Sequence, residues 1–210
     1  MWFWRIPPRA LSGKLWSNPA FRSAGSRFGA AARIRVGCYG AAPYFGKEVI
    51  QLAKEHKTNV MRILDKEKIP YQFYFYSHED GLIDGVSVAH KLNQPVEQVF
   101  KTLVTRGASK NFYVFVIPVE RELNLKAAAQ SVSEKSVEMI HVSEINQVTG
   151  YIRGGCSPIG MKKQFRTVID ESCLQLPTVI VSGGKIGTQV ELAPADLISL
   201  VGASTAPLCK

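Results

Sequence analysis

No apolar run in this chain exceeds six residues, and the longest, Phe112 to Ile117, stops at Pro118. A membrane-spanning helix needs roughly 20 such residues, so none is expected. Buried structure must instead come from short strands and short amphipathic helices. Tyr71 to Tyr76 alternates, with Tyr71, Phe73 and Phe75 on one face and Tyr74 and Tyr76 on the other, which is the period of a strand. Val99 to Thr105 and Phe112 to Ile117 read as two strands around a polar turn at Gly107 to Asn111. Val137 to Ile140, Arg166 to Ile169, Thr178 to Val181 and Gln189 to Leu192 read as four more. Between them, Thr58 caps a helix carrying Met61, Ile63 and Leu64 that Pro70 stops. Asp84 caps a short helix through Leu92, Asn124 one through Ala129, and Ser143 to Val148 make another. Pro194 stands at the first position of a last helix that closes near Gly202. The long, regular helices of a doubly wound sheet are missing. The expected class is α+β, with a mixed, curved, barrel-like sheet and surrounding short helices.

The chain of 210 residues suits one domain with an appendage. Its formal charge of +9 resembles a nucleic-acid signature until it is located. Residues 1–47 hold eight Lys/Arg and no acid, which leaves 18 Lys/Arg against 17 Asp/Glu in residues 48–210. The domain itself is nearly neutral, so strong nonspecific phosphate binding is not expected, although a local basic rim is allowed.

Residues 1–51 therefore form a basic leader outside the fold, expected to be disordered or not natural protein, and residues 52–210 form the domain. The leader is rich in Arg, Ala, Gly, Ser and Pro and has no secretory hydrophobic stretch. One reading is an organellar transit peptide, which would place the protein in a mitochondrion or plastid. The favoured reading starts translation at Leu52. Lys47-Glu48-Val49 can be encoded by a strong bacterial ribosome-binding sequence, and TTG is both a leucine codon and an alternative start. On that reading the leader is translated upstream DNA and the protein is cytoplasmic.

The four cysteines (Cys38, Cys156, Cys173, Cys209) contain no Cys-x-x-Cys, and the four histidines no i, i+4 pair. Neither a metal site nor a disulfide framework is indicated, and no cofactor is expected; reduced thiols are the default.

The functional signal lies in Tyr151 to Lys163, Tyr-Ile-Arg-Gly-Gly-Cys-Ser-Pro-Ile-Gly-Met-Lys-Lys. Its glycines and proline fit neither a helix nor a strand, so backbone rather than side chains should form the surface. Ser157 invites a nucleophile reading, but the hydrolase elbow needs Gly-x-Ser-x-Gly, and Pro158 and Ile159 stand here instead. Ser157 reads as a hydrogen-bonding loop residue, and Cys156 and Cys173 as small core residues. Ser182-Gly183-Gly184-Lys185-Ile186-Gly187 departs from the phosphate-loop pattern and precedes a strand, so a hairpin-like turn lining a pocket is expected. Lys101 shares a strand face with Val99, Leu103 and Thr105. A strand lysine is ordinarily solvated, but if that face meets a cavity the ammonium points into it, where it needs an anion or a polar substrate.

Val-Phe-Lys-Thr-Leu-Val at 99–104, the glycine loop, Val-Ser-Gly-Gly-Lys at 181–185 and Glu-Leu-Ala-Pro-Ala-Asp-Leu at 191–197 occur in order. Together they resemble the YbaK, or prolyl-tRNA-synthetase-associated, editing-domain family, and within it the free-standing bacterial Cys-tRNA(Pro)/Cys-tRNA(Cys) deacylases. The resemblance runs from about Lys57 to the C-terminus. It implies a mixed six- or seven-stranded barrel-like sheet and hydrolysis of the ester of mischarged Cys-tRNA(Pro). Lys101 is implied as the catalytic residue. A pocket is implied at Tyr76, Gly154, Ser182 and Gly183, and Gly155, Ser157 and Gly184 are expected to complete its walls. Two positions depart from close relatives: Asp84 stands where an aromatic is frequent, and Gln189 where some carry an acid.

The chemistry explains the missing nucleophile. A synthetase cannot reject a residue one methylene smaller by fit alone, because that difference is worth only ~1–3 kcal/mol, so a second hydrolytic sieve is needed. In this family the substrate's own thiol is thought to attack its carbonyl. The implied partners are the acceptor end of mischarged tRNA(Pro) and prolyl-tRNA synthetase. An Ala-tRNA(Pro) deacylase and a noncatalytic tRNA- or synthetase-binding module are the alternatives.

Overall fold

A row of capping side chains sets the helix starts in the computed structural model, which describes Arg33–Ile34 as backbone and residues 57–210 in full. Thr58 accepts from Met61 N at 3.3 Å and opens α1 (Asn59–Lys66), which buries Val60, Met61 and Leu64. Asp84 accepts from Ser87 N at 3.0 Å and opens α2 (Gly85–Lys91), while Asn124 caps α3 (Leu125–Ser131). α4 spans Val142–Thr149. α5 (Pro194–Val201) has its proline at the first position and ends at Gly202 with φ 62°. Each helix starts where a side chain satisfies an orphan N–H or a proline removes one.

Nine strands are described: β1 (Arg33–Ile34), β2 (Tyr71–Phe75), β3 (Phe100–Gly107), β4 (Phe112–Pro118), β5 (Val137–Met139), β6 (Arg166–Asp170), β7 (Val179–Ser182), β8 (Thr188–Leu192) and β9 (Ser204–Ala206). They form a four-stranded sheet of order β1-β2-β8-β7 and a five-stranded sheet of order β5-β3-β4-β6-β9. The first is antiparallel throughout; in the second, β4–β6 and β6–β9 are parallel.

β4 explains the longest apolar run. Val114 and Val116 join the main core with Phe73, Val181, Val190 and α1, whereas Tyr113, Phe115 and Ile117 pack on the opposite face against Ala128 and Ala129 of α3. A central strand buried on both faces reads as continuous hydrophobicity rather than alternation. β2 alternates as expected: Tyr71, Phe73 and Phe75 belong to the main core, while Tyr74 and Tyr76 pack with Val88 and Leu92.

The mixed α+β class holds. The strands group into two sheets, and the isolated parallel bridge Val99↔Ile180 links them. The sequence reading omitted β9 because Ser-Thr-Ala has no apolar pattern; parallel pairing with β6 makes it a strand. It also omitted the short 3-10 turns Val96–Gln98 and Glu171–Gln175. The proposed boundary at residues 51 and 52 lies outside the described residues. So does the leader, apart from Arg33–Ile34, whose backbone pairs with Tyr74 and Phe73.

Candidate active site

β5 pairs with β3 only at Thr105–Gly107, which leaves the β3 edge at Phe100–Thr102 without a β5 partner. There, beside the Val99–Ile180 bridge, the sheets part around a cavity of about 120 Å³. Ordinary ligand clefts hold ~300–1,000 Å³, so this one takes a small group. Lys101 and Thr102 of β3, Ser182 of β7, Thr188 and Gln189 of β8, and Tyr76, Val119, Gly154 and Cys156 all contribute to its lining.

Lys101 Nζ donates one hydrogen bond, to Val119 O at 3.0 Å, and has no carboxylate partner among the described residues. Burial pushes its pKa below the ordinary lysine value, an effect opposed by Cys209 and Glu122. The ammonium retains donor capacity that a ligand oxygen can take up.

Two polar atoms of lining residues have no partner. Thr102 Oγ1 and Gln189 Oε1 are buried without a hydrogen bond, and Gln189 is only 6 % exposed. A buried unsatisfied polar atom costs ~1–3 kcal/mol, and two in one cavity are groups that a ligand would satisfy. Thr102 follows Lys101 on β3, and both residues contribute to the cavity lining. Gln189 was visible in the sequence only as a departure from a resemblance.

Tyr76 N donates to Gly187 O at 2.9 Å, and burial raises its phenol pKa, so the hydroxyl stays protonated at neutral pH. Cys173 sits in the main core as expected. Cys156 differs, because it lines the cavity; burial pushes its thiol up to about 11, which keeps it protonated and weakly nucleophilic.

The glycine loop is held from its own first residue. Tyr151 OH donates to Ile159 O at 2.7 Å, with Gly160 O at 3.2 Å, and Tyr151 N donates to Thr149 Oγ1 at 3.0 Å. Gly154 takes φ +82°, which favours glycine, and a Cβ there would stand 2.9 Å from the terminal Cδ1 of Ile83, which would have to move aside. Residues 182–188 form the expected hairpin turn: Gly183 N donates to Thr188 O, and Gly184 N to Ser182 Oγ. No helix follows that could cradle a phosphate.

Of the expected site residues, Lys101, Tyr76, Gly154 and Ser182 come together on the cavity. Gly155, Ser157, Gly183 and Gly184 do not line it. Gly155 N donates to Ile152 O inside the loop. Ser157 is fully buried, with its Oγ accepting from Ile159 N at 3.3 Å, so it shapes the loop that carries Gly154. Among the described residues no cluster of His, Cys, Asp or Glu could hold a metal.

Comparison with known proteins gives this geometry a context. A family model described as an aminoacyl-tRNA editing domain matches residues 84–200. A protein of Enterococcus faecalis named as a candidate Cys-tRNA(Pro)/Cys-tRNA(Cys) deacylase, EbsC, is 44% identical over 154 residues, 73% of this chain and 94% of its own length. A proline–tRNA ligase of Thermosipho africanus is 30% identical over 96 residues, 46% of this chain but 17% of that enzyme. A solved structure described as a candidate trans-editing enzyme for prolyl-tRNA synthetase superposes with a TM-score of 0.61 at 23% identity, covering 78% of this chain and 96% of its own. At that identity the likeness is one of fold.

Proposed function

The chain belongs to the aminoacyl-tRNA editing domain family, and we propose that it is a free-standing deacylase that hydrolyses mischarged Cys-tRNA(Pro). The observation that carries this reading is the cavity: small, polar at Thr102 and Gln189, furnished with one under-satisfied ammonium, and without an activated nucleophile of its own.

Such a site can work by positioning. The cysteinyl group enters the cavity, where Thr102 Oγ1 and Gln189 Oε1 gain partners. The substrate's sulfur forms a bond to its own carbonyl carbon, and the ester C–O bond to the ribose breaks. The thiol's proton is lost to solvent as the departing ribose oxygen takes one up, which leaves a cyclic thioester that water opens. Well-oriented intramolecular attack contributes ~7–11 kcal/mol. A donor aimed at developing negative charge adds ~3–4 kcal/mol, the role assigned to Lys101 on either the carbonyl or the ribose side. The domain carries little net charge, so prolyl-tRNA synthetase is the partner expected to supply further tRNA contacts.

The test is a panel of Cys-, Ala- and Pro-charged tRNA(Pro). Fast release of Cys with little release of Ala supports thiol assistance. Equal rates on Cys and Ala overturn it in favour of direct hydrolysis by water, and no turnover on any of them removes the deacylase reading. Cys156→Ala should keep activity within an order of magnitude, whereas removal of a true nucleophile costs on the order of 10⁴–10⁶.

A further inference from the structure

The cavity accounts for an acyl group but not for the nucleic acid attached to it. Three loops meet at its edge. Ile83 Cδ1 lies 2.9 Å, and Ile186 Cγ1 3.6 Å, from the position a Gly154 Cβ would take. A Gly155 Cβ would stand 3.1 Å from Ile186 N and 3.4 Å from Lys185 Cα. Ile83 and Gly154 line the cavity, so this junction marks its rim.

Immediately beside the junction, in sequence, stand four exposed residues of two kinds. Leu82 and Ile152 are large hydrophobics 50% and 52% exposed. Arg153 and Lys185 are exposed cations whose side chains make no hydrogen bond or ion pair among the described residues. Other cations near the site are engaged: Lys91 holds Asp80, and Lys162 Nζ donates to Asn146 O. No acid occurs between Glu144 and Asp170, or between Glu171 and Glu191, so neither cationic loop carries its own counter-charge. On the third loop Asp80 is taken by Lys91 and Asp84 by the cap of α2, which leaves Glu79.

Unpaired cations interleaved with exposed apolar side chains suit one ligand chemistry in particular. Single-stranded nucleic acid is held by charge on its phosphates and by flat or apolar surfaces on its bases. We propose that Leu82, Ile152, Arg153 and Lys185 form a docking rim for the unpaired 3′-terminal nucleotides of tRNA. The two cations take phosphates and the two aliphatic side chains take base faces. The proposal rests on the editing reading, since it is the ester at the 3′ end that brings these nucleotides to the rim. It also reconciles a nearly neutral domain with an RNA substrate, because a few well-placed charges replace a broad basic face.

The experiment compares the full chain with the Arg153→Ala/Lys185→Ala double variant on two substrates, Cys-tRNA(Pro) and cysteinyl-adenosine ester, which lacks phosphate. The double variant should raise KM for the tRNA about tenfold, and this effect should exceed the effect on the nucleoside ester at least fivefold. Two lost phosphate contacts should flatten the slope of log KM against log salt by about 1.4, at ~0.7 per contact for a single strand. An unchanged KM and slope on tRNA that the wild-type protein turns over would overturn the rim and leave the deacylase reading intact. If wild-type protein deacylates neither substrate, the editing reading fails, and the rim is then judged by fluorescence binding of an unacylated RNA oligonucleotide ending in CCA. Weaker binding by the double variant upholds the rim, and equal binding overturns it.

Discussion

Lys91 and Lys101 are both partly buried lysines, ten residues apart in sequence, and their surroundings differ in kind. The Lys91 ammonium has three acceptors: Asp80 Oδ1 at 2.6 Å, Leu82 O at 2.9 Å and Ser77 O at 3.3 Å. Its donors are used up, and the result is a staple that shapes the loop carrying Ile83 to the cavity. Lys101 has one carbonyl and no carboxylate. Desolvation lowers its pKa, whereas the hydrogen bond from Lys91 holds the Asp80 carboxyl below its usual value. A saturated cation stabilises structure, and a desolvated, under-satisfied one is available to a ligand.

Lys101→Met separates the two roles most sharply. It keeps the stem and removes the charge, so kcat/KM on Cys-tRNA(Pro) should fall on the order of 10²–10³, the usual loss for one preorganised donor. Its thermal midpoint should not fall, because a desolvated charge has been removed. Full activity in this variant would erase the contrast between the lysines. Gly154→Ala should have the next largest effect. It forces a side chain into φ +82° and against Ile83, which costs about 1 kcal/mol of stability and raises KM about tenfold. Wild-type kinetics with that alanine would show that Gly154 does not form the acyl wall.

Lys91→Met should give the inverse signature of Lys101→Met. Its midpoint should drop about 2–4 °C, which corresponds to roughly 1 kcal/mol in a domain of this size, while activity falls less than in the Lys101 variant. A Lys91 variant less active than the Lys101 variant would reverse the assignment. The smallest effects are those of pH. If the protonated Lys101 is the working form, activity should decline as pH rises, with a midpoint below the ordinary lysine value of 10.5, and Lys101→Arg should move the decline upward. Between the lowered folded value and 10.5 the unfolded chain binds more protons, so the Lys101 contribution to stability rises with pH. The Asp80 carboxyl has the same sign of slope in a different window: its contribution is present above 3.8 and is lost as pH falls through its lowered folded value. Thermal melts across both windows check these signs.

Much of the fold was legible because its signals are local. Thr58, Asp84, Asn124 and Pro194 mark helix starts through bonds they make, or avoid, within one turn. The alternation of Tyr71 to Tyr76 sorts that strand's side chains between two clusters as read. β9 was not legible, because its pairing partner lies about 35 residues away and its composition is polar. Within the site, Lys101, Tyr76, Gly154 and Ser182 could be named from motifs, whereas Thr102 was not singled out. Alternation tells which face a side chain takes, but not where a cavity opens.

The sequence by itself determined the short elements, the near-neutral charge of the domain, the backbone-built character of Tyr151 to Lys163 and its likeness to an editing family. These follow from residue type, spacing and local hydrogen bonding. Only the tertiary structure decided that the sheets part beside Val99 and Ile180, that Thr102 and Gln189 face one cavity without partners, and that Cys156 stands on its wall as an inert thiol. Burial and the absence of a partner are properties of where distant segments meet. The same separation made Lys91 a staple and left Lys101 with one carbonyl and no carboxylate.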